Sequence, residues 1–490
     1  MDGAATSSLI WTVLVLADLA IKVAALIILP RDRKPTAAMA WLLTIFLIPF
    51  LGIFLFFVFG GTKLPKKRMQ QQAETTARIS GLASTLDLTP EKGDWAPWFS
   101  SLVAQNRLLG GIPVVGGNRA VLIGDYTASI AAMTAAINAA KTFVHVEFFI
   151  VSWDATTREF FSAMEDAVAR GVTVRLLADH LSSRKMAHAK ETFAELDRIG
   201  ATWAYMLPVR PFHGDTQRPD LRNHRKIVVV DGLVGLMGSQ NLIDRSYNSK
   251  KNISRGLQWQ ELVTRVEGPA VAGMNAVFLS DWLAETGEDV SAEHLPADRV
   301  PFASGPAAIE CQVVPSGPGF TQENNLRMFL GLIYGAQEKV IITSPYFVPD
   351  EAMVYAITSA CQRGLDVQLF VSEIGDQGPV FHAQRSYYDV LLNAGVRIFM
   401  YPAPFILHAK HLSIDDDYAV IGSSNMDIRS FNLNFEVSLL VRGKSFVADM
   451  RAVEEGYRTA GRELTKAEWD AEPGSSRFLD GLARLTSALE

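Results

Sequence analysis

The chain is poor in cysteine, with only Cys311 and Cys361 among its 490 residues. Two thiols are too few for a disulfide framework and show no metal-type spacing, so both are expected to be reduced and buried. Charge is also scarce. Charged residues make up 20% of the chain, below the usual quarter, and a net charge of −6 leaves no basic excess for broad contact with polyanions. No nucleic-acid partner is expected, and an anion would have to be met in a local basic pocket. The N-terminus opens with Asp2 and has no Lys or Arg before Lys22, which disfavours a secretory signal peptide.

What the chain has in excess is apolar residues, 49% of the total, and the surplus lies near the start. The stretch "SLIWTVLVLADLAIKVAALIIL" (8–29) is long enough as a helix to cross about 30 Å of hydrocarbon. A basic link, "PRDRKP", leads to "TAAMAWLLTIFLIPFLGIFLFFVFG" (36–60), whose Pro49 is tolerable in a bilayer helix. Residues 1–62 therefore read as a two-helix transmembrane hairpin, with Asp18 and Lys22 four apart and able to pair. The link carries Arg31, Arg33 and Lys34, and the far side of the second run carries Lys63, Lys66, Lys67 and Arg68. That balance favours a multi-pass protein of the bacterial inner membrane with its catalytic region in the cytoplasm. Residues 63–118 read as a membrane-proximal connector, in which Trp95 and Trp98 fit either the headgroup layer or a core.

The remainder is too long for one core and is written twice. "AINAAKTFVHVEFFIVSWD" (136–154) matches "LIYGAQEKVIITSPYFVPD" (332–350) in pattern. "ARGVTVRLL" (169–177) parallels "QRGLDVQLF" (362–370), and "RIGATWAYM" (198–206) parallels "LNAGVRIFMY" (392–401). Each half alternates strand and helix, the sign of βαβ units and a parallel-rich sheet covered by helices. The expectation is an α/β protein of two tandem domains, 119–300 and 301–490, related by a pseudo-twofold axis.

One pattern recurs in both halves. "LRNHRKIVVVDG" (221–232) and "LHAKHLSIDDD" (407–417) each hold His, Lys two places on, and Asp five further: His224, Lys226, Asp231 and His408, Lys410, Asp415. Fourteen residues after each His comes Gly-Ser-x-Asn, as Gly238, Ser239, Asn241 and Gly422, Ser423, Asn425. With average composition, one such His-Lys-Asp pattern arises about 0.02 times per chain. Two in register with a second motif are not accidents.

These residues resemble the paired HKD motifs of the phospholipase D superfamily, and more closely those of its bacterial cardiolipin synthases. "RNHRKIVVVDG", "SPYFVPD" and "LHAKHLSIDDDYAVIGSSNMDIRSFNLNFEVSLLV" carry the likeness, together with the N-terminal hairpin. The resemblance covers nearly the whole chain and implies two phospholipase D-like domains sharing one metal-free site on the pseudo-twofold axis, with no cofactor.

Phosphodiester chemistry explains why such residues are needed. The substrate's own charge repels nucleophiles, so the site must neutralise nonbridging oxygens and supply a nucleophile and an acid. Neutral imidazole can attack phosphorus, and protonated imidazole on the opposite side can release the leaving alcohol. Lys226 and Lys410 would supply charge, while Ser239, Asn241, Ser423 and Asn425 are the candidate phosphate ligands. In a strand, residues two apart share a face, so each His and Lys would enter the cleft together. Asp231 and Asp415 belong to the catalytic motif but fall on the other face, where a structural role is favoured. The resemblance further implies that Glu261 and Glu436 orient the imidazoles. Analogy with other two-motif members favours His224 as nucleophile and His408 as acid.

Other signals carry less. "RGKS" (442–445) lacks the first glycine of a P-loop, since position 438 is Ser438. "DGLAR" (480–484) is a residue short of an alcohol phosphatidyltransferase motif. Phe478, Leu482, Leu485 and Leu489 make an apolar helical stripe, expected to dock on the body. His408 and His411 lack a convergent ligand cluster, which argues against metal, and His213 sits on a loop before the first motif.

The expected function is a cardiolipin synthase that moves a phosphatidyl group from one phosphatidylglycerol to another through a phosphohistidine. Phosphatidylglycerol, other membrane phospholipids and the bilayer are the expected partners, and a homo-oligomer is compatible with the sequence. The alternatives are a phospholipase D or a phosphatidyltransferase with another acceptor or donor lipid, a nuclease of the same superfamily, and a noncatalytic scaffold.

Overall fold

The computed structural model describes residues 2–32, 35–60, 69–70, 74, 95–209, 218–290, 302–305, 307–320 and 323–485. Its first element is a helix, Asp2–Ile28, followed by a 3-10 turn at Leu29–Asp32. The segment Leu9–Arg31 is long and apolar enough to cross a membrane, and Leu9, Trp11, Leu16, Leu19 and Ile27 are all exposed on it. Such an apolar surface is compatible with lipid and costly in water. Asp18 and Lys22 pair at 2.8 Å, as their spacing predicts.

The second apolar run departs from a single spanning helix. It forms two helices, Pro35–Leu47 and Pro49–Phe59, broken at Ile48. Pro49 excludes the preceding residue from the helical region, and Ile48 adopts φ −136°, ψ 74°. The second helix then folds back on the first: the Trp41 and Phe56 rings lie 5.4 Å apart. In a straight helix residues fifteen apart would be separated by about 22 Å. Gly52 permits the fold, because a Cβ there would stand 2.9 Å from the Ile45 Cα. At about 20 Å and 16 Å, neither piece reaches across the hydrocarbon core by itself.

The two halves form lobes of one continuous sheet joined at an antiparallel seam, where Val115–Ile123 pairs with Ile309–Ser316. Outward from the seam the first lobe places Val263–Glu267, Val234–Gly238, Lys226–Val230, Phe143–Phe148, Thr173–Asp179 and Thr202–Met206. The second lobe follows the same order with Asn434–Arg442, Tyr418–Gly422, His411–Ile414, Lys339–Thr343, Asp366–Ser372 and Arg397–Tyr401. The last three strands named in each lobe run parallel and are covered by helices, and Arg462–Leu464 closes the edge of the second lobe antiparallel to Arg397–Tyr401. The strands at and after each motif are antiparallel instead. Short β-meanders after each third βα unit produce this mixture, so the sheet is less parallel than its repeats suggest.

Asp231 and Asp415 sit just past the strand ends, on the left-handed backbone that Asp tolerates, with φ of 54° and 46°. The Asp231 carboxylate accepts the backbone N–H groups of Lys141, Thr142 and Phe143 at 2.8–2.9 Å. Asp415 accepts those of Gln337, Glu338 and Lys339 at 2.8–3.0 Å. Each therefore clamps the start of the neighbouring parallel strand, at the end away from the histidine. This corrects their inclusion among catalytic groups. Asp231→Asn replaces an acceptor with a donor facing a donor and is expected to cost about 1–3 kcal/mol of stability. Denaturant melts should register that loss, while turnover per folded molecule should stay within about twofold because the imidazoles are untouched.

The connector ends in the helix Pro97–Gly110, which packs on the second lobe. Trp95 is buried there with its Nε1 donating to Glu310 at 2.9 Å, and Trp98 meets the Tyr418 ring at 4.9 Å. Core packing, not the headgroup layer, thus accounts for both. The first lobe's seam strand starts at Val115, slightly before the expected boundary at 119. Cys311 is buried and Cys361 only partly so, and both are free thiols. His213 and Leu489 lie outside the described residues.

The helix Gly474–Arg484 reverses the expected docking of its apolar stripe. Buried Asp480 faces the body, where His382 and Arg385 satisfy its carboxylate. Phe478, Leu482 and Leu485 point outward.

Candidate active site

Each motif is positioned by the opposite lobe. Arg222–Asn223 pairs in parallel with Asn434–Phe435, and the His224 N–H donates to the Phe435 carbonyl at 2.8 Å. Symmetrically, Phe405–Leu407 pairs with Gln258–Gln260, and the His408 N–H donates to Gln260 at 2.7 Å. The next residue along each supporting segment is the glutamate. His224 Nδ1 therefore lies 3.0 Å from both Glu436 oxygens, and His408 Nδ1 lies 2.7 Å from Glu261 Oε1. The carboxylates are exchanged between lobes, so neither half can orient its own imidazole. A bond at Nδ1 leaves Nε2 of each ring available for chemistry.

Lys226 and Lys410 are buried, and each Nζ donates to the carbonyl of its own motif histidine, at 2.5 and 2.6 Å. Each ammonium has further donors for an entering phosphate. The motif serines act elsewhere than expected. Ser423 Oγ donates to Glu436 Oε2 at 2.5 Å and accepts the Val437 N–H, whereas Ser239 Oγ is engaged with the Leu262 backbone. Their hydroxyls secure the backbone just after each glutamate, at Leu262 and Val437, where the sequence led us to expect phosphate contacts. The preceding glycines have the same purpose: a Cβ on Gly238 or Gly422 would overlap the carbonyl of Leu262 or Val437. Asn241 donates to Tyr247 Oη at 2.9 Å, while Asn425 has an unpartnered buried Oδ1.

The charges are shared across the lobes. Burial lowers the pKa of His224 well below the imidazole range, and Lys226, Lys410 and His408 lower it further. Burial also lowers that of His408, but the Glu261 carboxylate opposes the shift. The two carboxylates diverge. Burial raises Glu436 to about 7 against the pull of Lys226, whereas Glu261 stays below its usual value because burial is outweighed by His408, Lys410 and Ser239 together. Burial depresses both lysines, Lys410 to about 8.

A pH dependence follows with a definite sign. Both histidines are neutral near pH 7 in the free protein, and an anion between them restores the preference for imidazolium at His408, the ring opposed by the Glu261 carboxylate. The complex then holds more protons than the free site, so binding strengthens as pH falls, by about tenfold per unit for each proton taken up. Above pH 8 discharge of Lys410 weakens binding further. Titrating a short-chain phosphodiester, a monoanion throughout, from pH 6 to 9 should show this slope, and His408→Gln should flatten it. A level profile in the unmodified protein would contradict the assignment.

Several neighbours escaped the sequence reading. Phe149 meets the His224 ring edge-on at 4.9 Å, and Tyr346 and Tyr247 flank His408 at 6.2 and 6.5 Å. Tyr346 Oη donates to Asp376 at 3.0 Å. Behind the first motif, buried Arg222 pairs with Asp179 at 3.1 Å, and buried Arg225 pairs with Asp281 and donates to the Glu436 carbonyl. The two arginines inside "RNHRK" were the available signal, since buried arginine needs partners. His411 lies in the core away from the site chemistry, and burial drives it to about 3. Among the described residues no group of three His, Cys, Asp or Glu could hold a metal ion.

Comparison with known proteins finds relatives over nearly the whole chain. The family described as "Cardiolipin synthase, PLD-like domain" matches residues 133–282 and 329–455, and "Phospholipase_D-nuclease N-terminal" matches 20–61. "Cardiolipin synthase A" of Proteus mirabilis (strain HI4320) is 31% identical over 473 residues, covering 94% of each chain. "Cardiolipin synthase A" of Yersinia pseudotuberculosis serotype IB (strain PB1/+) is 32% identical over 466 residues, again covering 94% of each. Among solved structures, phosphatidylserine synthase of Haemophilus influenzae Rd KW20 matches with TM-score 0.59 at 14% identity, covering 79% of this chain and 99% of that one. That likeness is one of fold.

Proposed function

The chain belongs to the cardiolipin synthase family of phospholipase D-like proteins, and from that membership we propose that it transfers phosphatidyl groups between two phosphatidylglycerol molecules. The carrying observation is the exchanged pair of histidine–carboxylate contacts, His224–Glu436 and His408–Glu261. His224, the more strongly neutralised imidazole, attacks phosphorus through Nε2 and forms the N–P bond. His408, facing the ionised carboxylate, carries the proton that leaves with the glycerol oxygen as the P–O bond breaks. The neutral His408 then takes the hydroxyl proton of a second phosphatidylglycerol, whose oxygen displaces His224. Cardiolipin and glycerol result, with both imidazoles restored. One diester replaces another, so the reaction needs no nucleotide. Lys226, Lys410, Asn241 and Asn425 hold the nonbridging oxygens during both steps.

Both substrates are bilayer lipids, which accounts for the apolar front end. We place the catalytic lobes on the cytoplasmic side of a bacterial cell membrane. The first helix spans, and the second run, folded at Ile48–Pro49, dips in and returns. Arg31, in the turn that ends the first helix, then lies on the same side as the lobes, in keeping with the positive-inside preference.

Mass analysis of lipids after mixing the purified protein with pure phosphatidylglycerol tests the proposal. Cardiolipin and glycerol in equal amounts are expected. Phosphatidic acid without cardiolipin would assign a phospholipase D, and DNA cleavage without lipid turnover would assign a nuclease.

A further inference from the structure

The exposed face of the helix Gly474–Arg484 is the feature that the catalytic scheme leaves unused. Phe478, Leu482 and Leu485 are 71%, 52% and 79% exposed at helical spacing, next to Leu479. Other exposed large apolar residues of the lobes, such as Leu108 and Tyr355, lie singly along the sequence. The stripe is held outward by construction: Asp480, on the opposite face, is buried against His382 at 2.7 Å and Arg385. The only exposed charges on this helix are Arg477 and Arg484, both positive, with Arg477 also 3.5 Å from Asp470.

The helix packs against Gly378–Arg385. The residues just before that second helix form part of the active-site rim, where Asp376 accepts the Tyr346 hydroxyl beside His408. Across the same rim lies the exposed segment Lys250–Arg255 of the other lobe, tied to it by the Arg255 guanidinium donating to the Gly375 carbonyl at 3.1 Å. That segment presents Lys250, Lys251 and Arg255 around Ile253, which is 60% exposed. An apolar wedge and a cationic cluster thus flank one entrance.

We propose that these two elements form a second, peripheral bilayer contact that seats the active-site entrance on anionic lipid. The inference rests on the phosphatidyltransferase reading and adds how substrate reaches the site. The wedge enters the headgroup–acyl boundary, and Lys250, Lys251, Arg255, Arg477 and Arg484 meet anionic headgroups. Lipid, rather than a second copy of the chain, fits because cations rim the apolar stripe and because its helix packs on the helix that starts at the entrance that must receive a lipid.

The test uses full-length protein reconstituted in vesicles, with Phe478→Cys carrying an environment-sensitive fluorophore in a Cys361→Ser background. Phosphatidylglycerol vesicles should give blue-shifted emission, quenched by shallowly brominated acyl chains. Lys250→Glu combined with Lys251→Glu should reduce that response. Emission that stays solvent-like in anionic vesicles would overturn the proposal, as would a blue shift in detergent that grows with protein concentration, which would signal a second copy. The probe reads position rather than turnover, so it is independent of whether the product is cardiolipin. In parallel, the triple change Phe478→Ser, Leu482→Ser, Leu485→Ser should lower turnover of vesicle phosphatidylglycerol about tenfold and that of a monomeric short-chain analogue by less than twofold. Equal losses on both substrates would contradict an interfacial role.

Discussion

Replacing either catalytic imidazole, as His224→Ala or His408→Ala, is expected to lower cardiolipin formation by at least about 10³-fold, and the double variant should be no worse than either single one. The two rings act on the same phosphorus in sequence, so losing one leaves the other nothing to complete. The defects should differ in kind. Without His224 no N–P bond can form, and no covalent phosphatidyl-protein should be recovered at any time. Without His408 the leaving oxygen goes unprotonated, so a donor with an activated leaving group, such as a nitrophenyl ester, should recover the first step. Both variants should stay folded, because among the described residues the rings make one side-chain polar contact each, with Glu436 and Glu261. Near wild-type turnover by folded His408→Ala would remove the acid–base half of the scheme.

The second large effect comes from the exchanged carboxylates. Glu261→Gln should reduce turnover by about 10²-fold or more, since it removes the charge that stabilises imidazolium at His408. Glu436→Gln should cost less near pH 7, because burial already raises Glu436 to about 7 and leaves much of it uncharged. The exchange makes the assignment testable by step. Glu436→Gln should slow formation of the covalent intermediate at His224, although residue 436 belongs to the second lobe. Glu261→Gln should slow proton transfer at His408, and the activated donor should recover it. If each glutamate affected the histidine of its own lobe, the geometry described above would be contradicted.

Much of this was legible in the chain. The duplicated His-x-Lys-x-x-x-x-Asp and Gly-Ser-x-Asn patterns identified the motif strands, because alternation puts His and Lys on one face and local spacing survives folding. The same alternation placed Asp231 and Asp415 away from the cleft, where three backbone donors hold each one. What escaped was long-range. That Glu436 serves His224 and Glu261 serves His408 depends on segments 212 and 147 residues apart pairing across lobes, and no periodicity carries that information. A hydroxyl beside a phosphate motif can equally secure the backbone, as those of Ser239 and Ser423 do. Pro49 is compatible with a bilayer helix by composition, but Ile48 cannot stay helical before it and the run folds back. In the C-terminal helix the apolar stripe was visible, but the polar pull of His382 and Arg385 on Asp480 decided which face docked.

The central claim is that one imidazole from each lobe serves a single phosphorus, with residue 224 forming the covalent bond. Quenching the protein in alkali during turnover of phosphatidylglycerol and mapping the modified peptide by mass spectrometry tests it most directly. The account predicts an acid-labile phosphatidyl group on His224, absent from the His224→Ala protein. A group mapped to His408, or turnover with no covalent species at any quench time, would contradict it.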